Sequence, residues 1–324
     1  MTDPIPITSD AFRVDFKMKV LGEQPDGSLE VAYIPDPDRY EWQEDEEHGR
    51  VLYDLRTKAR IAESVLGELA EQMAGSPIFA PPSGIPTYEE LFKARRTVIK
   101  AALAGEAHPE DLASPSAEIL AEKAGQRQEV AVLSVDVIGS TRLQATRSEA
   151  YGRINQILLR EIAAVTSVFG GVVINFTGDG AVVGFLGPGF NVAADMVFDA
   201  ATALIADIYG VMNPSLEEAG LFPIDVRVGL DMNEAEIAAV GSEESRRQHD
   251  VLGIAVSMAA KVQARGAPGQ LWVGQTLYEG LHVSRQDLLE PASSGKEWDF
   301  VDRMGQPYAL YRMQIVPPSH PGKR

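Results

Sequence analysis

Glu129-Val-Ala-Val-Leu-Ser-Val-Asp136-Val137-Ile-Gly139-Ser140-Thr141 is an apolar run that ends in a carboxylate and then turns through a glycine into a helix start. It reads as a buried strand feeding a helix. Further on, Gly171-Val-Val-Ile-Asn175-Phe-Thr-Gly-Asp179-Gly180-Ala-Val-Val-Gly-Phe185 sets a second aspartate between glycines, where Asp-Gly marks the tip of a hairpin. Working outward, the pattern predicts a strand at 129–135, a helix at 140–169, strands at 171–177 and 180–185, and a helix at 190–212. A strand at 224–230, a short hairpin near Ile237, a helix at 251–264, a strand at 270–273, a short helix and two closing strands within 298–313 follow. This is a βαββαβ core with an antiparallel sheet, an α+β arrangement with helices expected on one face.

Each aspartate taken singly has an ordinary structural reading, because Asp is favoured in turns and Asp-Gly in hairpins. Taken together they carry more. In a βαββ core the first strand lies beside the hairpin, so Asp136 and Asp179 converge at one end of the sheet. Two like charges held close require a cation, or one of them must be protonated. Mg²⁺ or Mn²⁺ bound by one or two carboxylates and substrate phosphates is the usual resolution. Gly139, Ser140 and Thr141 fit either a helix N-cap or a phosphate cradle of free N–H groups at a positive helix end, and the two readings are compatible.

The composition disfavours nucleic acid as a partner, and a polyphosphate ligand in so acidic a chain would need metal cations and a few placed Lys or Arg residues to offset repulsion. With 29 basic and 47 acidic residues the formal charge is −18, which opposes the phosphate neutralisation behind non-specific DNA or RNA binding. The 324 residues allow two compact units, and 45% hydrophobic with 23% charged residues is a globular balance. Cysteine is absent, so disulfides and thiolate metal sites are excluded. The sequence shows no secretory signal and no spanning segment, so no membrane association and a cytoplasmic location are expected.

Residues 1–127 read as an N-terminal accessory region. A strand pair is predicted over 11–34, followed by a break at Pro35, Pro37 and the acidic run Glu41 to Glu47. Helices are predicted over 55–73, 88–104 and 114–125.

The order and separation of these segments with Arg227-Val-Gly-Leu-Asp231, Val251-Leu-Gly253-Ile-Ala-Val-Ser257-Met-Ala-Ala-Lys261 and Gly266-Ala-Pro-Gly-Gln-Leu-Trp-Val-Gly274 resemble the class III nucleotidyl cyclases. The resemblance covers about residues 128–315 and leaves 316–324 as a tail. It implies two divalent ions, Mn²⁺ or Mg²⁺, at Asp136, Asp179 and the backbone carbonyl of Val137. It further implies a homodimer with shared active sites, in which Ser257 and Lys261 of one subunit face the aspartates of the other. Cyclases of this family place a ribose-orienting asparagine where this chain has Ser257 and a transition-state arginine where it has Lys261. Ser257 and Lys261 share one helix face, opposite an expected stripe of Val256, Ala259 and Ala260. Lysine keeps the charge but loses the planar fork. The base-selecting positions carry Asn175, in place of a lysine, and Asp250. Arg246, Arg247, Lys296 and Arg303 are further candidates for the triphosphate.

Within the class, Asn175 and the short N-terminal region resemble the uridylate cyclases of bacterial Pycsar antiphage systems. That resemblance implies UTP as substrate, cyclic UMP as product and a separate cyclic-nucleotide-responsive effector as downstream partner; the alternatives are an adenylate or guanylate cyclase of ordinary signalling and a non-catalytic nucleotide-binding protein of the same fold.

Overall fold

The computed structural model describes residues 14–23, 29–46, 48–55, 58, 60–73, 86–106, 116–187, 189–241, 248–293, 298–302 and 304–316. The chain divides into two compact units, Met1–Ser83 and Gly84–Arg324.

In the first unit, β1 (Phe16–Glu23) and β2 (Leu29–Pro35) form the expected antiparallel pair. A second, three-stranded sheet consists of β3 (Tyr40–Asp45), β4 (Gly49–Asp54) and β5 (Arg60–Ala62), and α1 (Glu63–Met73) follows it directly. Two expectations are corrected here. The acidic run Glu41 to Glu47 opens a hairpin rather than breaking the pattern, and the helix begins at Glu63, not at 55. The hairpin buries Tyr40, Leu52 and Ile61 against Val65 and Leu66. Glu41 and Glu44 are exposed, and the partly buried Asp45 pairs with Arg60 at 2.8 Å. Arg39 is held between Asp15 and Asp54, with its Nη2 2.7 Å from the latter.

The second unit begins with α2 (Tyr88–Leu103) and α3 (Ser116–Glu122). A Thr87–Glu90 capping box starts α2. Then come β6 (Arg127–Val137), α4 (Ser140–Val168), β7 (Gly171–Phe176), β8 (Gly180–Phe185) and α5 (Phe190–Asp207). A π-helical turn at Ile208–Met212 leads into α6 (Asn213–Glu218). β9 (Val226–Val240), β10 (Gln248–Gly253), α7 (Ile254–Gln263), β11 (Gln270–Gly274), α8 (Gln275–Gly280), α9 (Val283–Gln286), β12 (Glu290–Ala292) and β13 (Leu310–Gln314) complete it. The strand order is β12-β13-β11-β9-β6-β8-β7, with β10 paired to the far part of β9. All these pairings are antiparallel except β11 with β9.

The alternation along β6 explains the layers. Ala131, Leu133, Val135 and Val137 join α4 and α5 in the larger core, whereas Val130 and Val132 face Leu120 of α3 and Ala255 and Ala259 of α7. Helices therefore cover both faces of the sheet, which corrects the one-face expectation. The sequence missed this because α7 is short and its buried stripe is built of small residues.

Other differences have local causes. The helix expected to end at 212 continues through the π turn, because Pro214 lacks an N–H and its ring crowds the carbonyl of Gly210. The Asn213 N–H bonds back to Ile208. α4 is interrupted at Arg147, whose φ of −143° is not helical. α7 starts at Ile254 instead of 251, since residues 248–253 pair with β9. The closing strands are β12 and β13. Residues 298–301 form no named strand; among the described residues they give a Val301–Pro307 bridge, beside which the Tyr308 N–H donates to the Phe300 carbonyl at 2.9 Å, and Trp298 and Phe300 pack edge to face. Among the described residues no helix is long and apolar enough to cross a membrane.

Candidate active site

β6 and the β7–β8 hairpin bring Asp136 and Asp179 together. Asp136 lies opposite Gly180 in the ladder, and the Val137 N–H donates to the Asp179 carbonyl at 3.2 Å. The approach is so close that a Cβ on Gly180 would fall 1.9 Å from the Val135 carbonyl oxygen, so only glycine fits after Asp179. Burial and a side-chain contact with Asp179 raise the pKa of Asp136, while Arg227 pulls it down. Arg227 Nη2 stands 2.5 Å from Asp136 Oδ2, and Gln263 Nε2 donates to the same oxygen at 3.3 Å. Two facing carboxyls, one with a pKa raised by the other, form a donor set suited to a divalent cation. Among the described residues no group of three or more His, Asp or Glu side chains could hold a metal. A pair of carboxylates with a backbone carbonyl such as that of Val137 suits Mg²⁺ or Mn²⁺, which keep water and phosphate in their remaining positions.

Gly139 takes the left-handed conformation (φ 72°) and caps α4, with no side-chain cap bond to the first turn. Neither Ser140 nor Thr141 is the N-cap; both lie inside the helix, which corrects the expectation that one of them caps it.

The family model of the adenylate and guanylate cyclase catalytic domain matches residues 122–296. The chain belongs to this family. Its fold is that of the guanylyl cyclase Cya2, with a TM-score of 0.50 at 21% identity over 60% of this chain and 96% of Cya2. The adenylyl cyclase CyaB from P. aeruginosa gives a TM-score of 0.49 at 19% identity over 58% of this chain and 94% of its own. No curated protein matches the chain in sequence.

The remaining expected residues of this cyclase domain fall into two groups. Asn175 follows a bulge in β7 and pairs with Val182, so it shares the α7 face of the sheet with Val132. It is exposed. β10, which carries Asp250, touches β7, so the elements bearing Asn175 and Asp250 meet. One Asp250 oxygen accepts from the Val251 N–H at 2.8 Å. Ser257 and Lys261 are exposed on α7, whose buried face consists of Ala255, Met258, Ala259, Val262 and Gln263. Ala260 is exposed, a correction to the expected stripe. Within one chain Ser257 and Lys261 therefore point away from the sheet that bears the aspartates, and the two halves of the expected site do not meet. Lys261 Nζ lies 5.2 Å from the centre of the Phe300 ring, and one turn later Arg265 lies over Trp298. Arg246, Arg247, Lys296 and Arg303 lie outside the described residues.

Sequence reasoning missed Gln263 and gave Arg227 no role. Arg227 had a detectable signal, since it faces Asp136 in the β6–β9 register. Gln263 had none beyond a polar residue at a buried helical position.

Proposed function

We propose that the chain is a uridylate cyclase that converts UTP to 3′,5′-cyclic UMP and pyrophosphate, acting as a homodimer with shared sites. The observation that carries the cyclase reading is the contact between Asp136 and Asp179 at one end of the sheet. The Asp136 and Asp179 carboxylates with the Val137 carbonyl would hold two divalent ions, Mn²⁺ or Mg²⁺, which acidify the ribose 3′-hydroxyl and offset the charge of the leaving pyrophosphate when bound. The free N–H groups at Gly139, Ser140 and Thr141 receive phosphate oxygens. Ser257 from the partner chain orients the ribose, and Lys261 neutralises charge on the α-phosphate as the 3′-oxygen bonds to phosphorus and the bond to pyrophosphate breaks. Exposure of Ser257 and Lys261 on the outer face of α7 supports a site completed by a second copy.

For the base, the Asn175 amide offers both an acceptor for uracil N3–H and a donor for a uracil carbonyl, which a lysine cannot do. Asp250, on the neighbouring strand, is a second acceptor for N3–H while Asn175 donates. The resemblance to the Pycsar enzymes supports a role as a second-messenger synthase in antiphage defence, acting in the cytoplasm on a cyclic-UMP-responsive effector.

The shared-site reading is tested by mixing two inactive variants, Asp179→Ala and Lys261→Ala. A heterodimer holds one site free of both lesions, so activity returns to roughly a quarter of the wild-type level at equal mixing. Silence despite demonstrated subunit exchange contradicts it.

A further inference from the structure

Tyr151 and Asn155 stand one turn apart on α4 and so share a helix face. Asn155 Nδ2 donates to the Gly178 carbonyl at 2.6 Å, which pins that face against the turn bearing Asp179. Tyr151 is only 3% exposed, yet among the described residues its hydroxyl has no hydrogen-bond partner, and Asn155 Oδ1 has none either. Burial, then the charges of Asp179 and Asp136 in that order, push the phenol up to about 12. The rest of the ring lies in the large apolar core, where a phenylalanine would fill the same space without stranding a polar atom. Native interiors seldom keep a buried hydroxyl unpaired without a use for it.

We propose that Tyr151 is a positioning residue whose hydroxyl donates to the Asp179 carboxylate and fixes it in its ligand orientation when a divalent cation is bound, an inference that rests on the metal reading above. Ligating carboxylates are ordinarily steered by such outer hydrogen bonds, and losing one weakens metal binding by about tenfold to a hundredfold. The competing role is purely structural, a bond from the hydroxyl to Asn155 Oδ1 within the same helix face.

Full-length Tyr151→Phe, the wild type and Asp179→Ala are titrated with Mn²⁺ alone, with free Mn²⁺ followed by electron paramagnetic resonance, and are melted in EDTA. Tyr151→Phe is expected to bind Mn²⁺ about tenfold more weakly or worse, while melting in EDTA at or above the wild-type temperature because the orphaned hydroxyl is gone. Unchanged Mn²⁺ affinity overturns the proposal in favour of the structural role. A lower melting temperature in EDTA also overturns it, since the hydroxyl would then already be bonded without metal. If Asp179→Ala binds Mn²⁺ as well as the wild type does, the metal assignment has failed and takes this inference with it.

Discussion

Asp179→Asn and Asp136→Asn remove one charge each from the same contact, yet their stabilities should diverge. Unit charges about 4 Å apart repel by about 4 kcal/mol at an effective dielectric constant of 20 and by about 1 kcal/mol in water. Asp136 is 22% exposed at its side chain, so the site lies between these limits. Asp179→Asn relieves the repulsion and keeps the Asp136–Arg227 pair, for an expected gain of about 1–2 kcal/mol, toward the screened end of that range. In a unit of this size the gain raises the melting temperature by roughly 2–8 °C. Asp136→Asn relieves the same repulsion but strands Arg227, whose side chain is 30% exposed and whose Nε has no partner. It should melt at or below the wild-type temperature. Calorimetric melts in EDTA read both. With Mn²⁺ at about a hundred times its dissociation constant, the wild type gains about 2.7 kcal/mol and Asp179→Asn gains nothing, so their order reverses. Asp179→Asn melting below the wild type in EDTA, or equal shifts in the two variants, would refute the reasoning.

Asp207 is fully buried with, among the described residues, no donor to either oxygen, and burial first, then Glu161, raise it to about 8. Arg95 engages Glu161 through two hydrogen bonds, at 2.8 and 2.7 Å. A carboxyl raised in the folded state contributes stability that is full below its unfolded pKa, about 3.9, and is lost as the pH rises through 8. Asp207→Asn should therefore raise the melting temperature relative to the wild type at pH 8.5 and change it little at pH 4; an equal change at both values would remove the charge argument. Gly180→Ala drives its Cβ into the Val135 carbonyl and should cost about 3 kcal/mol or more in urea unfolding, whereas a cost below 1 kcal/mol would mean the β6–β8 approach is looser than described. Asn175→Lys should lower turnover of UTP relative to ATP by about tenfold to a hundredfold, and an unchanged ratio would remove Asn175 from base selection.

The aspartate pair was legible because Asp136 closes the buried run of β6 and Asp179 immediately precedes the buried run of β8, with the hairpin glycines fixing where the second one sits. Topology then brings the two together without further information. What surrounds them was less visible. Gln263 reaches Asp136 from a helix whose neighbouring residues are apolar, and a buried glutamine carries no periodicity of its own. β10 was hidden because Val251 and Ala255 are spaced like helix residues, so its pairing with β9 is written in the distant partner strand and not in the segment itself. The β3–β4 hairpin was obscured by the density of acidic residues along β3, which leaves no regular apolar alternation. Pro214 lies just past the expected helix end at 212, but the chain absorbs it in a π turn and flanking residues such as Ile208, Met212 and Leu216 remain buried. The exposed side of α7 could be read for residue identity, whereas the placing of Lys261 over Phe300 depends on a distant segment of the chain.

The most direct measurement incubates the purified protein with Mn²⁺ and each of the four nucleoside triphosphates, and identifies the products by mass. The account predicts cyclic UMP and pyrophosphate from UTP as the main products, and none from Asp136→Ala or Asp179→Ala. Cyclic AMP or cyclic GMP as the main wild-type product would contradict the uridylate assignment, and cyclisation that survives loss of either aspartate would contradict the site itself.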